Sequence, residues 1–435
     1  MGHERQALWR RITQAPFAPE GGRGIKHLSD FEAELQTGNW TGLAALLSRP
    51  QVRGLIAGLF ECSPYLTALI MRDPGRVERL RGGVPKAECY RLRDGLGAEM
   101  AQAKDNAGAK KILRSYKNEI ALLTALADLG GVWPVMAVTD ALSRAADATV
   151  AHAVRYLFAR ANEAGKWRSP DPSRAEAHSG YFVLAMGKQG AFELNYSSDI
   201  DLIVFFDRER SKLAGDGDLQ SFLVRLTRDL VSLMEERTPD GYVFRTDLRL
   251  RPDAGATQVA LSTAAAHGYY ETVGQNWERA AMIKARACAG DIEAGQIFLD
   301  ELTPFVWRKY LDYAAIADVH AMKRQIHAHK GIGDISILGQ NVKLGRGGIR
   351  EIEFFVQTQQ LIAGGRQPDL RVRDTLGALQ ALLARGWVRD DVATDMEKAY
   401  LYLRRLEHRL QMVADEQTQD MPSTQEGLEL IAHFC

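Results

Sequence analysis

Apolar positions along residues 1–160 recur at steps of three and four, with Leu and Ala abundant and Pro sparse, so this stretch reads as helical. The segment 113–131 is the clearest case. Leu113, Ile120, Leu123 and Leu126 form one stripe, and Gly130, Gly131 and Pro134 stop it. Asp140 is positioned to cap a second helix reaching about residue 162. Residues 163–179, with two prolines, three serines and few apolar side chains, read as a connection. The texture then changes. YFVLAM (181–186) and DLIVFF (201–206) have strand length and strand composition, and GYVFRTDLRLR (241–251) alternates as a third strand after a helical segment near 218–236. Strands separated by helices mark an α/β or α+β core. Helical periodicity returns from about residue 291. In the segment from Asp395 to Val413, Met396, Ala399, Leu403, Leu406, Leu410 and Val413 predict one narrow apolar stripe laid into a bundle.

Composition adds exclusions. The 435 residues carry 55 Lys+Arg against 55 Asp+Glu, a balance that argues against a dedicated nucleic-acid binder. Hydrophobic residues at 46% and charged residues at 25% are globular values, and the length suggests two to four domains. Cys62, Cys89, Cys288 and Cys435 are scattered with neither zinc nor redox spacing, which predicts free thiols in a reducing compartment. No apolar run approaches the ~18–20 residues of a membrane span, and MGHERQALWRR lacks the apolar stretch of a secretory signal. The expectation is a cytoplasmic protein with no membrane partner.

The chemistry concentrates in residues 181–206. A strand ends at Met186, and Gly187, Lys188 and Gly190 open a turn into a short helix. A second strand then begins at Asp199. Period-two alternation puts Asp199 and Asp201 on one face and Ile200, Leu202 and Val204 on the other. Two carboxylates at ~4 Å repel by about 4 kcal/mol at an effective dielectric near 20. A shared proton, an arginine or a divalent cation would each offset that, and open Asp pairs suit Mg²⁺ or Mn²⁺. The third strand carries Arg245, Asp247, Arg249 and Arg251 on one face. If it lies beside the Asp pair, Asp247 completes a three-carboxylate metal site and the arginines suit phosphate oxygens. The glycine turn adds backbone N–H groups for an anion. Together these point to metal-assisted phosphoryl or nucleotidyl transfer. The turn is not a P-loop, because no GxxxxGK[ST] precedes it.

At these residues the chain resembles the nucleotidyltransferase superfamily of the polymerase-β type, and more specifically the glutamine synthetase adenylyltransferase/adenylyl-removing family. The family pattern stands here as Gly187-Lys188-Gln189-Gly190, Glu193-Leu194, Ser198-Asp199-Ile200-Asp201 and the RTDLRLRP block from Arg245 to Pro252. WERAAMIKAR (277–286), NVKLGRGGIREIEFFVQ (341–357) and YLRRLEHRLQ (402–411) also look like family blocks. The resemblance implies a predominantly α fold with an embedded α/β nucleotidyltransferase core (a small mixed sheet flanked by helices) and a C-terminal helical bundle. The expected division is 1–140, a helical region; 141–330, the catalytic domain; and 331–435, the bundle.

The family enzyme has two homologous halves, one removing AMP from a tyrosine of glutamine synthetase by phosphorolysis to ADP, the other adding AMP from ATP. One copy of the motif, the NYSSDIDLI flavour and the long helical lead-in resemble the N-terminal, removing half, and the chain is expected to be a fragment that continues beyond residue 435. Carried over, Asp199, Asp201 and Asp247 would be the catalytic residues and hold Mg²⁺ or Mn²⁺. Gly187, Lys188, Gly190 and Ser198 would line the phosphates, and Arg245, Arg249 and Arg251 would contact phosphate or form structural ion pairs. Inorganic phosphate is the implied co-substrate and ADP or ATP the nucleotide. Implied partners are glutamine synthetase, a PII-type signal protein and the adenylyltransferase half of the same polypeptide, with no nucleic acid.

Several residues stay open at this level. Arg350, Glu353 and Gln357 share a helix face that either faces the site or makes a salt bridge. Lys284 and Arg286 alternate on a possible strand and either one could reach substrate. His320, His327, His329 and His408 read as surface helix residues. Forward adenylylation from ATP, and a non-catalytic docking module, stand as alternatives to AMP removal.

Overall fold

The computed structural model describes residues 6–38, 40–80, 82–211, 213–214, 217–309 and 336–435. His320, His327 and His329 lie outside the described residues.

The predicted helices form with clear start and stop chemistry. The helix Asn106–Leu129 begins where Asp105 accepts the Gly108 N–H at 2.8 Å. It ends at Gly130 and Gly131, the latter at φ +67°, where the Val132 N–H closes back on the Ala127 carbonyl. Its second half, Ile120 to Leu129, is buried all round, so it is a central helix. The following helix runs Val135–Glu163 and starts behind Pro134. Asp140 is therefore inside it and caps nothing; its carboxylate instead pairs with Arg144 one turn on. The helix Leu219–Glu235 is capped by Asp218.

The sheet has five strands in the order β3-β2-β1-β5, with β4 also on β2: β1 Tyr181–Ala185, β2 Ile200–Phe206, β3 Thr246–Asp247, β4 Leu261–Ser262 and β5 Arg286–Gly290. β1 pairs antiparallel with β2 and β5, whereas β2 pairs parallel with β3 and β4. Both faces of the sheet are covered, which explains why β1 and β2 read as nearly unbroken apolar runs. Val183, Ile200, Leu202 and Val204 face one core, shared with the N-terminal helices. Phe182, Leu184, Ile203 and Phe205 face a second, built on Tyr270, Met282 and Phe298.

The predicted third strand is a correction. Only Thr246 and Asp247 of residues 241–251 are paired as strand. The Asp247 carboxylate accepts the Arg249 N–H at 2.8 Å, and this local bond turns the chain out of the sheet.

The C-terminal bundle comprises Ile349–Ala363, Thr375–Ala384, Asp390–Met412 and Gln425–Phe434. Its long helix departs from the predicted stripe. Met396, Leu403 and Leu406 are only half-buried and Ala399 is exposed. The deeply buried face is Tyr400, Arg404, Glu407, His408 and Gln411. Such a face is viable only with partners, and these come from the helix Asn106–Leu129 and from the segment leading into β2. Asp128 accepts from Arg409 at 2.9 Å and lies 3.1 Å from His408 Nδ1. Arg404 donates to the Glu193 carbonyl and the Asn195 side chain. His408 is thus fully buried rather than on the surface, edge-on to Tyr196. The helix end reaches the Ser63 hydroxyl, which donates to the Met412 carbonyl.

Candidate active site

β1 delivers the chain to a sharp turn at the head of β2. The Met186 N–H bonds the Asp201 carbonyl at 2.9 Å, and the four-residue helix Gly187–Gly190 follows. Gly187 has φ +51°, and a Cβ there would fall 2.5 Å from Asp201 Oδ2. Only glycine lets the turn lie over that carboxylate. At Gly190 a Cβ would meet the Lys284 carbonyl at 2.1 Å, so this glycine serves close packing of the turn.

The three predicted carboxylates stand at neighbouring backbone positions where β2 and β3 pair, with the side chains of Asp199 and Asp247 turned to different partners. Asp201 and Asp247 are register partners across the parallel pair, and Asp199 immediately precedes β2. Burial, then the Asp247 carboxylate, push the Asp201 carboxyl up to about 6; Asp199 adds to this, and Lys343 and Arg350 pull the other way. Asp247 is held below the usual carboxylate range by the hydrogen bonds of Arg249.

The arginines divide into three roles. Arg245 Nε bonds Asp199 at 2.5 Å, while its other nitrogens reach the Tyr242 hydroxyl and the Ser197 carbonyl. Arg249, 84% exposed, caps Asp247. Arg251 turns away and donates to the carbonyls of Leu248, Ala254 and Thr257, bracing the loop after β3. Lys188 points to the bundle, its Nζ 2.7 Å from Glu407, and burial pulls its ammonium down to about 8. Ser198 is half-buried, with its hydroxyl 3.4 Å from the Asn195 N–H.

Lys284 and Arg286 belong to the framework. Lys284 is buried between Glu193 at 2.9 Å and Glu353 at 3.2 Å. Arg286 bonds Asp147 and the carbonyls of Gln189 and Gly190. The helix face of Arg350, Glu353 and Gln357 therefore splits. Glu353 takes the salt bridge, Gln357 approaches the Ala280 carbonyl at 3.5 Å, and Arg350 is exposed within the field of Asp201.

Sequence reasoning passed over Lys343 and Gln417. Gln417 donates to Asp199 Oδ2 at 2.9 Å. Lys343 lies in a loop held to the 417–420 segment by Val342 N–H to the Gln419 carbonyl and by Asn341 to Asp420. Neither Lys343 nor Arg350 forms an ion pair among the described residues. The signal was present in NVKLGRGGIR, where Asn341 accepts two following N–H groups and Gly347 takes φ +72°.

A hard divalent cation suits this donor set, which is all oxygen and carries unrelieved crowding on Asp201. Among the described residues no three Asp, Glu, His or Cys side chains are already converged as a cage, because Asp199 is turned to Arg245 and Gln417 and Asp247 to Arg249.

A small mixed sheet under helices, with an Asp-x-Asp strand beneath a glycine turn, is the arrangement of a nucleotidyltransferase. The profile of the family described as glutamate-ammonia ligase adenylyltransferase matches residues 54–301, and that of GlnD PII-uridylyltransferase matches residues 319–435. The bifunctional glutamine synthetase adenylyltransferase/adenylyl-removing enzyme of Bradyrhizobium sp. (strain BTAi1) is 51% identical over 99% of this chain and 44% of its own length. Those of Rhodopseudomonas palustris (strain HaA2) and Xanthobacter autotrophicus (strain Py2) are 50% and 49% identical over 98% and 99% of the chain. The chain belongs to the glutamate-ammonia ligase adenylyltransferase family, and it spans 43–44% of the length of these relatives. Among its described residues no single helix is long and apolar enough to cross a membrane.

Proposed function

We propose that this chain removes AMP from an adenylylated tyrosine of glutamine synthetase by phosphorolysis. The observation that carries the reaction class is the placement of Asp201 opposite Asp247 across β2 and β3, with Asp199 just before β2 and the Gly187 turn over Asp201. The direction is supported by the likeness of the NYSSDIDLI motif, with its long helical lead-in Asn106–Leu129 and Val135–Glu163, to the AMP-removing half.

Asp199, Asp201 and Asp247 would hold Mg²⁺ or Mn²⁺. When bound, the ion supplies Lewis-acid stabilisation of charge on the phosphoryl oxygens. The residues of the chain do the rest. Gly187 leaves the space over Asp201 open to a phosphate. Lys343 and Arg350, neither of which has an acidic partner among the described residues, offset phosphate charge. Arg249, exposed at the rim, exchanges Asp247 for a phosphate oxygen at little cost, since exposed ion pairs contribute about 0–1 kcal/mol. An oxygen of hydrogen phosphate bonds the AMP phosphorus as the bond to the tyrosine oxygen breaks. The hydrogen phosphate proton ends on that oxygen, giving ADP and free tyrosine. The match of residues 319–435 to a PII-uridylyltransferase profile supports a PII-type signal protein as regulator. The coverage of the relatives supports a second, adenylylating half as the natural neighbour. Four free cysteines suit the cytoplasm.

The test is ADP release from adenylylated glutamine synthetase with and without phosphate. Phosphate-dependent release is expected, lost by at least a hundredfold in Asp199→Asn and Asp201→Asn with the fold intact. Normal turnover in those variants overturns the site. Incorporation of label from ATP into unmodified synthetase, without phosphate-dependent release, reverses the direction.

A further inference from the structure

The helices Pro85–Ala101, Asn106–Leu129 and Val135–Glu163 enclose an open-mouthed cavity of about 150 Å³, which none of the three carboxylates lines. That is room for one aromatic ring, with the rest of a ligand left at the open mouth. Its walls are aromatic and aliphatic: Tyr90, Tyr116 and Trp133 line it with Ile120. Tyr116 is buried, and Trp133 is half-buried against the core.

The polar groups at the cavity are unequal in sign. Lys86, Arg93 and Arg144 line it, against a single carboxylate, Asp140. Arg144 already neutralises that carboxylate, its Nε lying 2.8 and 3.0 Å from the two oxygens. Lys86 has no acidic partner among the described residues. Among the described residues Arg93 pairs only with Asp94, at 3.3 Å and 71% exposed, and its guanidinium lies 5.1 Å from the Tyr90 ring centre. Two cations are thus left over an apolar, ring-lined cavity. A neutral hydrocarbon would leave them unused. A hydrophilic anion would leave the aromatic walls wet. The ligand class that satisfies both is a flat apolar body with one anionic group: the body between Tyr116 and Trp133, the anion at Lys86 and Arg93.

We propose that this cavity is a binding site for an aromatic monoanion, separate from the carboxylate site and independent of the direction of catalysis. The probe is 1-anilinonaphthalene-8-sulfonate, a fused aromatic with one sulfonate, followed by its emission on titration into the chain. One saturable site is expected. The neutral analogue N-phenyl-1-naphthylamine should bind at least tenfold more weakly. Lys86→Glu with Arg93→Glu, at exposed positions that leave the fold intact by circular dichroism, should weaken the sulfonate at least tenfold. Ala141→Trp, which fills the cavity from its wall, should abolish binding. Equal affinity for the neutral and charged probes, or an unchanged affinity in the charge variant, overturns the assignment. Saturable binding that persists in a folded Ala141→Trp chain overturns the location, and so does failure of the sulfonate to bind at all.

Discussion

Lys284→Met separates two readings of one residue. If Lys284 faced substrate, its loss would reduce activity and leave stability alone. The structure instead buries it between Glu193 and Glu353, with N–O separations of 2.9 and 3.2 Å and all three side chains at most 8% exposed. With charge centres about 4 Å apart, each attraction is about 4 kcal/mol at an effective dielectric of 20. Removing the ammonium also returns its own desolvation cost, so the net loss expected for breaking such a buried group is ~3–5 kcal/mol. The pH dependence carries a second signature. Burial pushes the Glu353 carboxyl up, but Lys284, with Lys188 and Arg350, more than reverses this and holds it below the usual range. In the parent chain this group therefore contributes stability that is fully present above its unfolded value and is lost progressively as pH falls below it. In the variant the ammonium is gone and burial dominates, so the carboxyl shifts upward and ionisation costs stability at neutral pH. Acidification from pH 7.5 to 5 should then narrow the gap between variant and parent. Urea unfolding at both pH values measures it, and Lys284→Met/Glu353→Gln should recover part of the loss. A deficit below ~1 kcal/mol, or one that does not change with pH, refutes the reasoning.

Further expectations follow the same geometry. Gly187→Ala, with φ +51° and a Cβ against Asp201, should lose ~1–2 kcal/mol from backbone strain alone and lose activity with it, by thermal melting and turnover. Arg251→Ala removes three bonds to loop carbonyls and should cost ~1–3 kcal/mol while phosphate KM is unchanged in molecules that remain folded. Arg249→Ala should show the reverse pattern, a stability change within about 0.5 kcal/mol with a raised phosphate KM. Asp128→Ala leaves Arg409 and His408 buried without their carboxylate and should cost ~3–5 kcal/mol in urea unfolding.

Much of the framework was legible in the sequence because local signals and global fold agree there. The glycine stop after Leu129, the two apolar strands and the alternation that puts Asp199 and Asp201 opposite Ile200 and Leu202 all reappear. Period-two alternation failed at residues 241–251, where the Asp247 carboxylate captures the Arg249 N–H and ends the strand after two residues. The apolar stripe of the Asp390–Met412 helix misled for another reason. Its partners are polar or charged groups some two to three hundred positions earlier, so no local pattern could show that Arg404, Glu407 and His408 point inward. Lys284 and Arg286 were invisible as framework for the same cause. Asp199 and Asp201 stood out because their spacing is local, and Asp247 because it lies in an alternating segment; the loop that brings Lys343 toward them carries no such local signal.

The Lys188–Glu407 pair joins positions 219 residues apart. At ~5–20 residues per second, a ribosome that has delivered the glycine turn needs roughly 10–45 s more to deliver the carboxylate that pairs with it. Through that interval the lysine beside the Gly187 turn, the Glu193 carbonyl and the Asn195 amide have no C-terminal partner. The turn over Asp201 is therefore completed last, by the arrival of a helix rather than by the sheet that carries the acids. A nascent or truncated chain ending before residue 407 would carry Asp201 and Asp247 on paired strands, with Asp199 just ahead of them, and still lack the buried Glu407 carboxylate that pairs with the turn's lysine.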